Sequence, residues 1–575
     1  MEETRSEAAR RFQLILVKPS HYDDDGYVIR RYRSMIPSNS LAAVYAIAAE
    51  AAGREVLGPD VAIDMVCIDE TNTRVDIPAL LARLATHDQF GMLGLIGVQS
   101  NQFPRALDIA RPFRTAGVPV VMGGFHVSGV MSMIDEHALG LDECRALGVS
   151  MFAGELEGRI DAVLRDAAAG SLAPVYKYMN DLPTMNDTPV PFLPKHYVER
   201  TINTSTSFDA GRGCPYQCSF CTIINVQGRK SRFRTPDDVE QVVRLNWAQG
   251  ISKFFITDDN FARNRDWENI FDRLIKLRER EKIPLGLLIQ VDTLCHKIPR
   301  FIEKAKRAGV TRVFIGLENV NPANLMAAKK RQNKIGEYRR MLLAWKAQGI
   351  LTLAGYILGF PGDTPESIRG DIAVIQRELP VDILEFFCLT PLPGSEDHRT
   401  LWRAGVAMDA DLNRYDLEHV CAPHPKMSRA EWEGIYAEAW GLYYSKAHMR
   451  TLLQRGHVTG LPLMSLLKLL LTFSTTLPIE RVHPLQGGIL RLKHPSERRP
   501  GMPAPGRIRF WSGFALDTLG KHARLVRHLV SLLWTLRAIR RDKAAGFYTD
   551  VALTQGEPEE EARLELLTAG KQRAA

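Results

Sequence analysis

The sequence has few cysteines, no long apolar run and no strong excess of one charge, and each absence narrows the class of protein. Only eight of its 575 residues are cysteine, and five of these are scattered, which is typical of reduced thiols inside a cell rather than of a secreted disulfide scaffold. Residues 1–11 are charged and lack the apolar segment of a signal peptide. No apolar run reaches the roughly 18 residues of a membrane-spanning helix. The sequence therefore predicts a globular protein of the cytoplasm.

Composition and charge agree with that class. Hydrophobic residues make up 45% of the sequence and charged residues 24%, proportions typical of a globular fold. The formal net charge of +8 favours anionic partners but does not by itself indicate nucleic acid, and we expect no nucleic-acid partner. A chain of this length is expected to form about three or four domains.

The order of apolar and amphipathic segments predicts an α/β fold in two parts, followed by a mainly helical region. Residues 1–165 alternate strands and helices as a doubly wound parallel sheet does, and residues 166–205, which contain several prolines, are predicted to be a linker. Residues 206–405 contain six further strand–helix units, the first strand being Phe208–Arg212, and predict a partial (β/α)6 barrel. Helical patterns dominate residues 406–575. Ligands bind at the carboxyl ends of strands in both kinds of sheet, so the loops there are the candidate sites.

Three of the cysteines, Cys214, Cys218 and Cys221, are close together, with the spacing C-x3-C-x2-C. Thiolates are the usual ligands of iron–sulfur clusters. Three thiolates bind three irons of a four-iron cube and leave the fourth open to a substrate, as in other catalytic metal sites with an unfilled position. The alternative is a zinc site, but zinc prefers a fourth ligand, and no Cys or His follows Cys221 before Cys295. The spacing therefore predicts a [4Fe–4S] cluster.

At these cysteines the sequence resembles the radical S-adenosylmethionine (SAM) superfamily, and further family segments occur in the expected order along residues 206–400. The resemblance implies an aromatic residue near the adenine, two aspartates where the methionine amine is held, a glutamate at the ribose or the amino acid, and glycines against the adenosine. Each segment also has an ordinary interpretation as a turn or a helix cap. The residues that the resemblance assigns to SAM are Phe220, Asp258, Asp259, Glu318, Gly355 and Gly359.

The same resemblance implies the reaction. An electron from the cluster cleaves SAM to methionine and a 5′-deoxyadenosyl radical, which abstracts hydrogen from an unactivated carbon. Cys214, Cys218 and Cys221 are then the catalytic and metal-binding residues. The protein orients the reactants and keeps water away from the radical. The electron is expected to come from a donor such as flavodoxin or ferredoxin.

A doubly wound sheet before such a barrel resembles the cobalamin-binding class of the superfamily. The matching segments at strand ends are Ser100-Asn101, Val120–His126 and Phe152–Gly158. The resemblance implies that Ser100, Gly123, Gly124 and His126 contact cobalamin. The loop after the first strand lacks the D-x-H-x-x-G pattern that carries the lower cobalt ligand, so His21 is expected to be solvated and dispensable. The alternative is a domain that binds no corrin.

The leading functional hypothesis is cobalamin-dependent methylation of an unactivated carbon. A radical SAM oxidoreductase or cyclase of the same class, which does not methylate, fits the same motifs. A cobalamin-binding sensor without chemistry is the alternative of another kind, and the three clustered cysteines argue against it. A methylthiotransferase is rejected, because it would carry a second cysteine trio in the first domain, where only Cys67 and Cys144 occur.

The C-terminal region leaves two interpretations open. Lys521–Lys543 predicts a helix with leucines on one side and arginines on another. This helix either packs on the barrel as an ordinary amphipathic helix or lies on an anionic membrane surface, which would make the protein peripheral to a membrane. The expected substrate is a small or lipid-like molecule, and nothing in the sequence identifies it.

Overall fold

The computed structural model describes residues 10–555. Residues 1–9 of the charged segment 1–11, and the charged segment 556–575, therefore lie outside the described residues. Between these limits the structure confirms the predicted α/β class, with two parallel sheets followed by a helical region.

The first part of the chain is a six-stranded parallel sheet with an apolar core on each face. The strand order is β3-β1-β4-β5-β6-β7, so the direction of winding reverses beside β1, and ligands bind at such a switch point in doubly wound sheets. The elements of this part are β1 Arg10–Lys18, β2 Arg30–Ser34, α1 Asn39–Gly53, β3 Val61–Asp69, α2 Ile77–Ala85, β4 Gly91–Leu95, α3 Phe103–Thr115, β5 Val120–Gly123, α4 Phe125–Met133, α5 Leu141–Ala146, β6 Ser150–Ala153, α6 Ile160–Ala168, β7 Val175–Lys177 and α7 Lys195–Val198.

The sheet continues into the range that the sequence predicts to be a linker. β7 pairs in parallel with β6, and Tyr176 is buried with its ring against Phe152. Three residues are too few to produce a recognisable alternation, so the sequence gives no sign of this strand. The rest of the range 178–194 is irregular.

The second part is another six-stranded parallel sheet, in the order β15-β14-β13-β12-β11-β8, and forms the predicted partial barrel. The predicted first strand, Phe208–Arg212, is split into a barrel strand and one strand of a separate two-stranded hairpin. The elements are β8 Thr206–Phe208, β9 Gly211–Arg212, α8 Ile223–Val226, β10 Arg232–Phe233, α9 Pro236–Ala248, β11 Lys253–Ile256, α10 Trp267–Glu279, β12 Gly286–Val291, α11 Phe301–Ala308, β13 Val310–Glu318, α12 Pro322–Ala327, α13 Tyr338–Ala347, β14 Leu351–Leu358, α14 Pro365–Glu378, β15 Ile383–Cys388 and α15 Glu396–Arg403.

Local sequence signals explain where the barrel elements begin. Thr235 and Thr364 cap α9 and α14 with capping boxes, and a proline follows each cap, which fixes both helix starts. β14 is buried at every position, as expected for a central strand covered on both faces. Because all six strands are parallel, the loops that follow them lie at the same end of the barrel.

The described part of the C-terminal region, 406–555, contains four α-helices and one strand. α16 packs on β15, with Trp440 and Tyr443 buried against Phe386. The strand β16 returns to the first part of the chain and pairs antiparallel with β2. The elements are α16 Arg429–Tyr443, α17 Lys446–Val458, α18 Leu463–Thr475, β16 Gly488–Leu492 and α19 Arg507–Arg541.

One described segment is long and apolar enough to cross a membrane, Leu463–Glu480, which includes α18. Its mean hydropathy is 1.3 and 44% of it is buried in the protein. A core helix passes the same test, and α18 packs between α17 and α19, so the segment is weak evidence for a membrane span.

Candidate active site

The three clustered cysteines lie on one loop at the mouth of the barrel, between β9 and α8. The β9–β10 hairpin closes the base of the loop through the pairs Arg212↔Arg232 and Gly211↔Phe233. The Cys214 amide donates to the Gly228 carbonyl at 3.2 Å. Gly213 has a φ of +88°, and a Cβ there would lie 2.5 Å from the Lys230 carbonyl, so only glycine allows this tight approach. The loop is therefore held at its base, and its tip carries the thiols.

Two aspartates at the end of β11 anchor the same base. Asp258 Oδ1 accepts hydrogen bonds from the Ala210 amide at 2.7 Å and the Gly211 amide at 2.8 Å, and its Oδ2 accepts one from Asn264 at 2.9 Å. Asp259 Oδ2 accepts from the Gly213 amide at 3.3 Å. Burial raises the pKa of each carboxyl to about 7, against the opposing effect of these donors.

The family resemblance implies that both aspartates hold the methionine amine of SAM, but the two side chains differ in their surroundings. Both oxygens of Asp258 are occupied by contacts within the protein, so this side chain shapes the loop. Asp259 uses one oxygen on the loop and lies beside the cysteines, where its charge contributes to the raised pKa values of Cys214 and Cys221.

The chemistry of the three thiols can be compared with what a cluster requires. Burial raises the pKa of Cys214 to about 11 and that of Cys221 to about 12, and the other thiols contribute to the rise at Cys221. Within residues 10–555, no group of three or more His, Cys, Asp or Glu is gathered closely enough to hold one metal ion. A four-iron cluster does not require the three thiolates to meet at one ion, because each thiolate binds a different iron. The donor set thus fits an iron–sulfur cluster better than zinc.

A buried cation beside the cysteine loop is absent from the sequence analysis. The Lys330 ammonium forms an ion pair with Glu318 and lies 5.9 Å from the centre of the Phe220 ring. Glu318 ends β13 with a φ of +64°, a conformation rare for residues other than glycine. Burial lowers the pKa of Lys330, but the charges of Glu318 and Cys218 outweigh that effect and raise it. The sequence gives no local pattern for Lys330, which follows a short helix.

The aromatic residue before the last cysteine belongs to a small apolar cluster at the barrel mouth. Phe220 and Phe387 pack against Ala328, Ile357 and Phe360. This cluster joins the cysteine loop to the ends of β14 and β15. It offers a flat apolar surface beside the thiols.

The two glycines assigned to the adenosine have different surroundings. A Cβ on Gly355 would lie 3.2 Å from the rings of Phe314 and Phe387, inside the barrel. Gly359 has a φ of +103°, and a Cβ there would lie 1.8 Å from the Trp432 indole. The glycine at 359 is therefore required by the packing of α16, whereas Gly355 keeps the barrel interior narrow and apolar.

The four residues assigned to cobalamin lie together at the carboxyl edge of the first sheet, but they contact one another or the backbone. His126 is fully buried, with Nδ1 3.1 Å from Ser100 Oγ and Nε2 3.0 Å from the Leu139 carbonyl oxygen. Burial lowers the pKa of its imidazole to about 4. A Cβ on Gly124 would lie 2.2 Å from the Val98 amide nitrogen, and one on Gly123 3.2 Å from the Phe152 carbonyl. A ligand contact through His126 would require one of its two bonds to break.

His21 differs from the expectation that it is solvated. It is 5% exposed in the loop after β1, and burial lowers the pKa of its ring to about 4. The loop is covered by a segment that follows the barrel, where Asn413 bonds to the Tyr22 backbone in both directions. The sequence could not indicate this cover, because its two sides are 391 positions apart.

Ion pairs join the first sheet directly to the base of the cysteine loop. Arg212, two positions before Cys214, contacts Glu155 and Glu157 at 2.6 Å each, and it also contacts Asp209 of its own domain. Glu155 accepts a second bond from Arg232 at 2.8 Å. The two glutamates lie in the loop after β6, within the segment Phe152–Gly158 that the sequence analysis matched to the cobalamin-binding class.

Known proteins resemble this chain in both sequence and fold. Residues 210–375 match the model of the radical SAM superfamily. The hopanoid C-2 methylase of Rhodopseudomonas palustris is 25% identical over 365 residues, which cover 62% of this chain and 66% of that protein. The bacteriochlorophyllide d C-8(2)-methyltransferase of Chlorobaculum tepidum is 23% identical, over 58% of this chain and 74% of that protein. The chain thus spans about two thirds of these relatives.

A solved structure shares the fold over most of the chain. The radical SAM methyltransferase TsrM from Kitasatospora setae superposes with a TM-score of 0.55 at 17% identity, over 75% of this chain and 89% of that one. The cobalamin-dependent radical SAM enzyme OxsB superposes with a TM-score of 0.50 at 11% identity, over 97% of this chain and 84% of that one. At these identities the likeness establishes the fold, in which a doubly wound sheet precedes a partial barrel.

Proposed function

Residues 210–375 are a radical SAM domain, and from that premise we propose that the chain is an enzyme that cleaves SAM reductively and methylates an unactivated carbon with the help of cobalamin. The observation that carries the proposal is the loop of Cys214, Cys218 and Cys221, which the Asp258 and Asp259 carboxyls hold at the barrel mouth. When bound, a [4Fe–4S] cluster supplies the electron that cleaves SAM, and cobalamin supplies a methyl carrier.

The residues around the loop have separate parts in this proposal. Cys214, Cys218 and Cys221 ligate three irons, and Asp258 keeps their loop in place. Asp259 keeps one oxygen for the ammonium of the methionine moiety. Lys330 places a positive charge near Cys218, which favours the thiolate form that iron requires.

The apolar cluster suits the nucleoside of SAM. Phe220 presents a ring beside the thiols, and Ile357 and Phe387 extend the same surface, which excludes water from the adenine side. Glu318 lies at the end of β13 with its carboxylate held by Lys330, within reach of the polar part of a ligand at this mouth. Gly355 lines the wall, and Gly359 acts through the packing of Trp432.

The cobalamin part of the proposal depends on the architecture. The edge of the first sheet, shaped by Ser100, Gly123, Gly124 and His126, is joined to the cysteine loop by the pairs of Arg212 with Glu155 and Glu157. TsrM, which shares the fold, has been solved with cobalamin and a [4Fe–4S] cluster bound. We propose that a corrin binds at this edge without a histidine ligand, because His21 is buried and His126 is bonded on both nitrogens.

The relatives guide the proposed substrate and setting. Those named above act on a hopanoid and on a bacteriochlorophyllide, so we propose a small or lipid-like substrate, an electron donor such as flavodoxin or ferredoxin, and a cytoplasmic protein at the periphery of a membrane. The proposed domains are a cobalamin-binding unit at 1–165 with β7 added to its sheet, a connector to 205, the barrel at 206–405 and the helical region at 406–575.

One experiment tests the radical SAM chemistry without knowledge of the substrate. Protein reconstituted anaerobically with iron and sulfide is incubated with SAM and dithionite, and 5′-deoxyadenosine and S-adenosylhomocysteine are quantified. We expect 5′-deoxyadenosine from the native chain and none from a variant with Cys214, Cys218 and Cys221 replaced by Ala. An intact cluster that binds SAM but yields no 5′-deoxyadenosine with any reductant would exclude the reaction. With a candidate substrate, S-adenosylhomocysteine formed beside 5′-deoxyadenosine distinguishes methylation from a radical outcome without methyl transfer.

A further inference from the structure

The longest helix of the protein is mostly exposed, although many of its residues are apolar. α19 has 35 residues, which corresponds to about 50 Å. The side chains it buries in the protein are Phe510, Leu532, Leu536 and Ile539. Its most exposed large apolar side chains, with their exposed fractions, are Ile508 at 87%, Leu516 at 71%, Trp534 at 68% and Leu519 at 67%.

Five of the exposed apolar residues lie in a stripe along one side of α19. Ile508, Leu519, Val526, Val530 and Leu533 recur at intervals that return to the same side of an α-helix, and each is at least 40% exposed. An ordinary surface helix is polar on its solvent side. Single exposed apolar residues are common, but a long contiguous stripe marks a surface that another phase or molecule covers.

Arginines accompany the stripe without acidic partners. Arg524, Arg527, Arg537, Arg540 and Arg541 all lie on α19, and no carboxylate within residues 10–555 lies within 4.0 Å of any of them. Unpaired cations beside apolar side chains are complementary to an anionic, apolar surface. The same charges oppose a second copy of the chain on this face, because Arg507 and Arg509 at the other end would bring like charges together in either orientation.

A groove at the end of the stripe combines the two features. It has a volume of about 590 Å³ and lies between α18 and α19, with Met464, Val530 and Trp534 on its apolar wall. Arg537, Arg540 and Arg541 also line it. An acyl chain and a phosphate would find apolar and cationic partners side by side here.

We propose that the exposed stripe of α19 and this groove dock on the surface of an anionic phospholipid bilayer. The apolar side chains enter the boundary of the acyl chains, and the arginines contact lipid phosphates. The proposal rests on the proposed function in one respect, because a lipid-like substrate would be reached at this surface. Binding to the bilayer itself does not depend on SAM cleavage.

Vesicle binding by the full chain tests the docking. The native protein is sedimented with vesicles of phosphatidylcholine alone and of phosphatidylcholine with phosphatidylglycerol, at low and high salt. We expect binding to the anionic vesicles and at least about tenfold weaker partitioning for Leu519→Ser with Val530→Ser and Trp534→Ser, which change the stripe and the groove together. The matched control is Leu245→Ser with Trp247→Ser on α9, whose side chains are 41% and 42% exposed, and its binding should equal that of the native chain.

A charge variant, phosphate competition and light scattering distinguish docking on an anionic bilayer from a simple phosphate site and from self-association. Arg537→Gln with Arg540→Gln and Arg541→Gln should lose the preference for anionic over neutral vesicles. Inorganic phosphate should not compete, and competition at millimolar concentration would indicate a simple phosphate site instead. If native protein ignores anionic vesicles at low salt, or if the serine variant changes the oligomeric state in light scattering while vesicle binding persists, the proposal is wrong. Circular dichroism confirms folding, and SAM cleavage measured on the same samples shows independently whether the proposed function fails.

Discussion

Each of the two large sheets has six parallel strands, but the polar residues at the strand ends have different hydrogen-bond partners in the two sheets. In the barrel, Asp258 and Asp259 bond to amides of another loop, the one that carries the cysteines. In the first sheet, Ser100 and His126 bond to each other, and His126 also bonds to the Leu139 carbonyl. Asp258 and Asp259 therefore support the reactive loop, whereas Ser100 and His126 complete the edge of their own sheet. The position of a residue in a sequence motif does not tell whether its side chain supports another loop or its own sheet edge, whereas its hydrogen-bond partners do.

The largest effect is expected when all three thiols of the cysteine loop are removed. Replacing Cys214, Cys218 and Cys221 together by Ala should abolish iron and sulfide binding and the visible absorbance of thiolate-bound iron. The comparison within the molecule is Cys67→Ala, a buried cysteine of the first sheet, which should leave iron content unchanged. Stoichiometric zinc without sulfide in the native protein would contradict the cluster.

The junction between the two sheets gives the next largest effect. Arg212→Ala leaves the buried Glu155 and Glu157 without their shared partner, which costs about 3–5 kcal/mol of stability. We expect a lower denaturation midpoint and a loss of cluster even at low temperature, since Arg212 lies beside Cys214 and Arg232. Arg212→Lys keeps the charge but not the three-way contact, and should recover part of both losses. Full iron content in a folded Arg212→Ala protein would show that the junction does not support the loop.

Acid should weaken the edge of the first sheet in a defined pH range. The pKa of His126 is lowered from 6.5 to about 4 by burial, so the unfolded chain binds a proton that the folded chain does not between these values. Its contribution is complete above pH 6.5 and declines as pH falls toward 4, by up to about 3 kcal/mol. His126→Phe should flatten the fall in denaturant midpoint between pH 7 and 5, compared with His137→Phe at an exposed site. Equal slopes in the two variants would disprove this account.

A pair of conservative changes tests the comparison itself. Asp258→Asn keeps an oxygen for the two loop amides but places a donor where Oδ2 accepts from Asn264, at a cost of about 1–3 kcal/mol, and should reduce the iron retained after reconstitution. Ser100→Ala loses one bond to His126, at a cost of about 1 kcal/mol, and should leave iron content as it is. The measurement is iron per chain beside the denaturation midpoint. Iron loss in both variants, or in neither, would remove the distinction between the sheets.

The fold was largely accessible from the sequence, because buried strands such as β14 and capped helices such as α14 carry strong local patterns. The cysteine spacing was also local, and it located the loop. The short strand β7 was missed, since three residues show no periodicity. β9 was predicted as the end of the first barrel strand, because the break at Ala210 involves a hydrogen bond to Asp258, 48 positions away.

The surroundings of the site depend on contacts that no short pattern encodes. Arg212 and Glu155 are 57 positions apart, and Lys330 follows a turn whose sequence does not indicate a buried cation. The glycine at 359 fitted a nucleotide-binding segment, yet Trp432 explains it through packing. Sequence reasoning can assign residue types to a site, but it cannot assign the partner that each side chain meets.

The pairing of β2 with β16 joins residues that are synthesised early to residues that are synthesised much later. Arg30 at the start of β2 forms a buried ion pair with Glu497, 467 positions later, and Arg491 of β16 meets Asp23 in the same way. A ribosome makes Arg30 and Asp23 long before it makes Glu497 and Arg491, so until then the nascent chain carries an unpaired β2 edge and two charges without these partners. The segment around β16 thus completes this contact only after the whole barrel has been synthesised. Shortening it should lower the yield of folded protein even though it lies far from the cysteines in sequence.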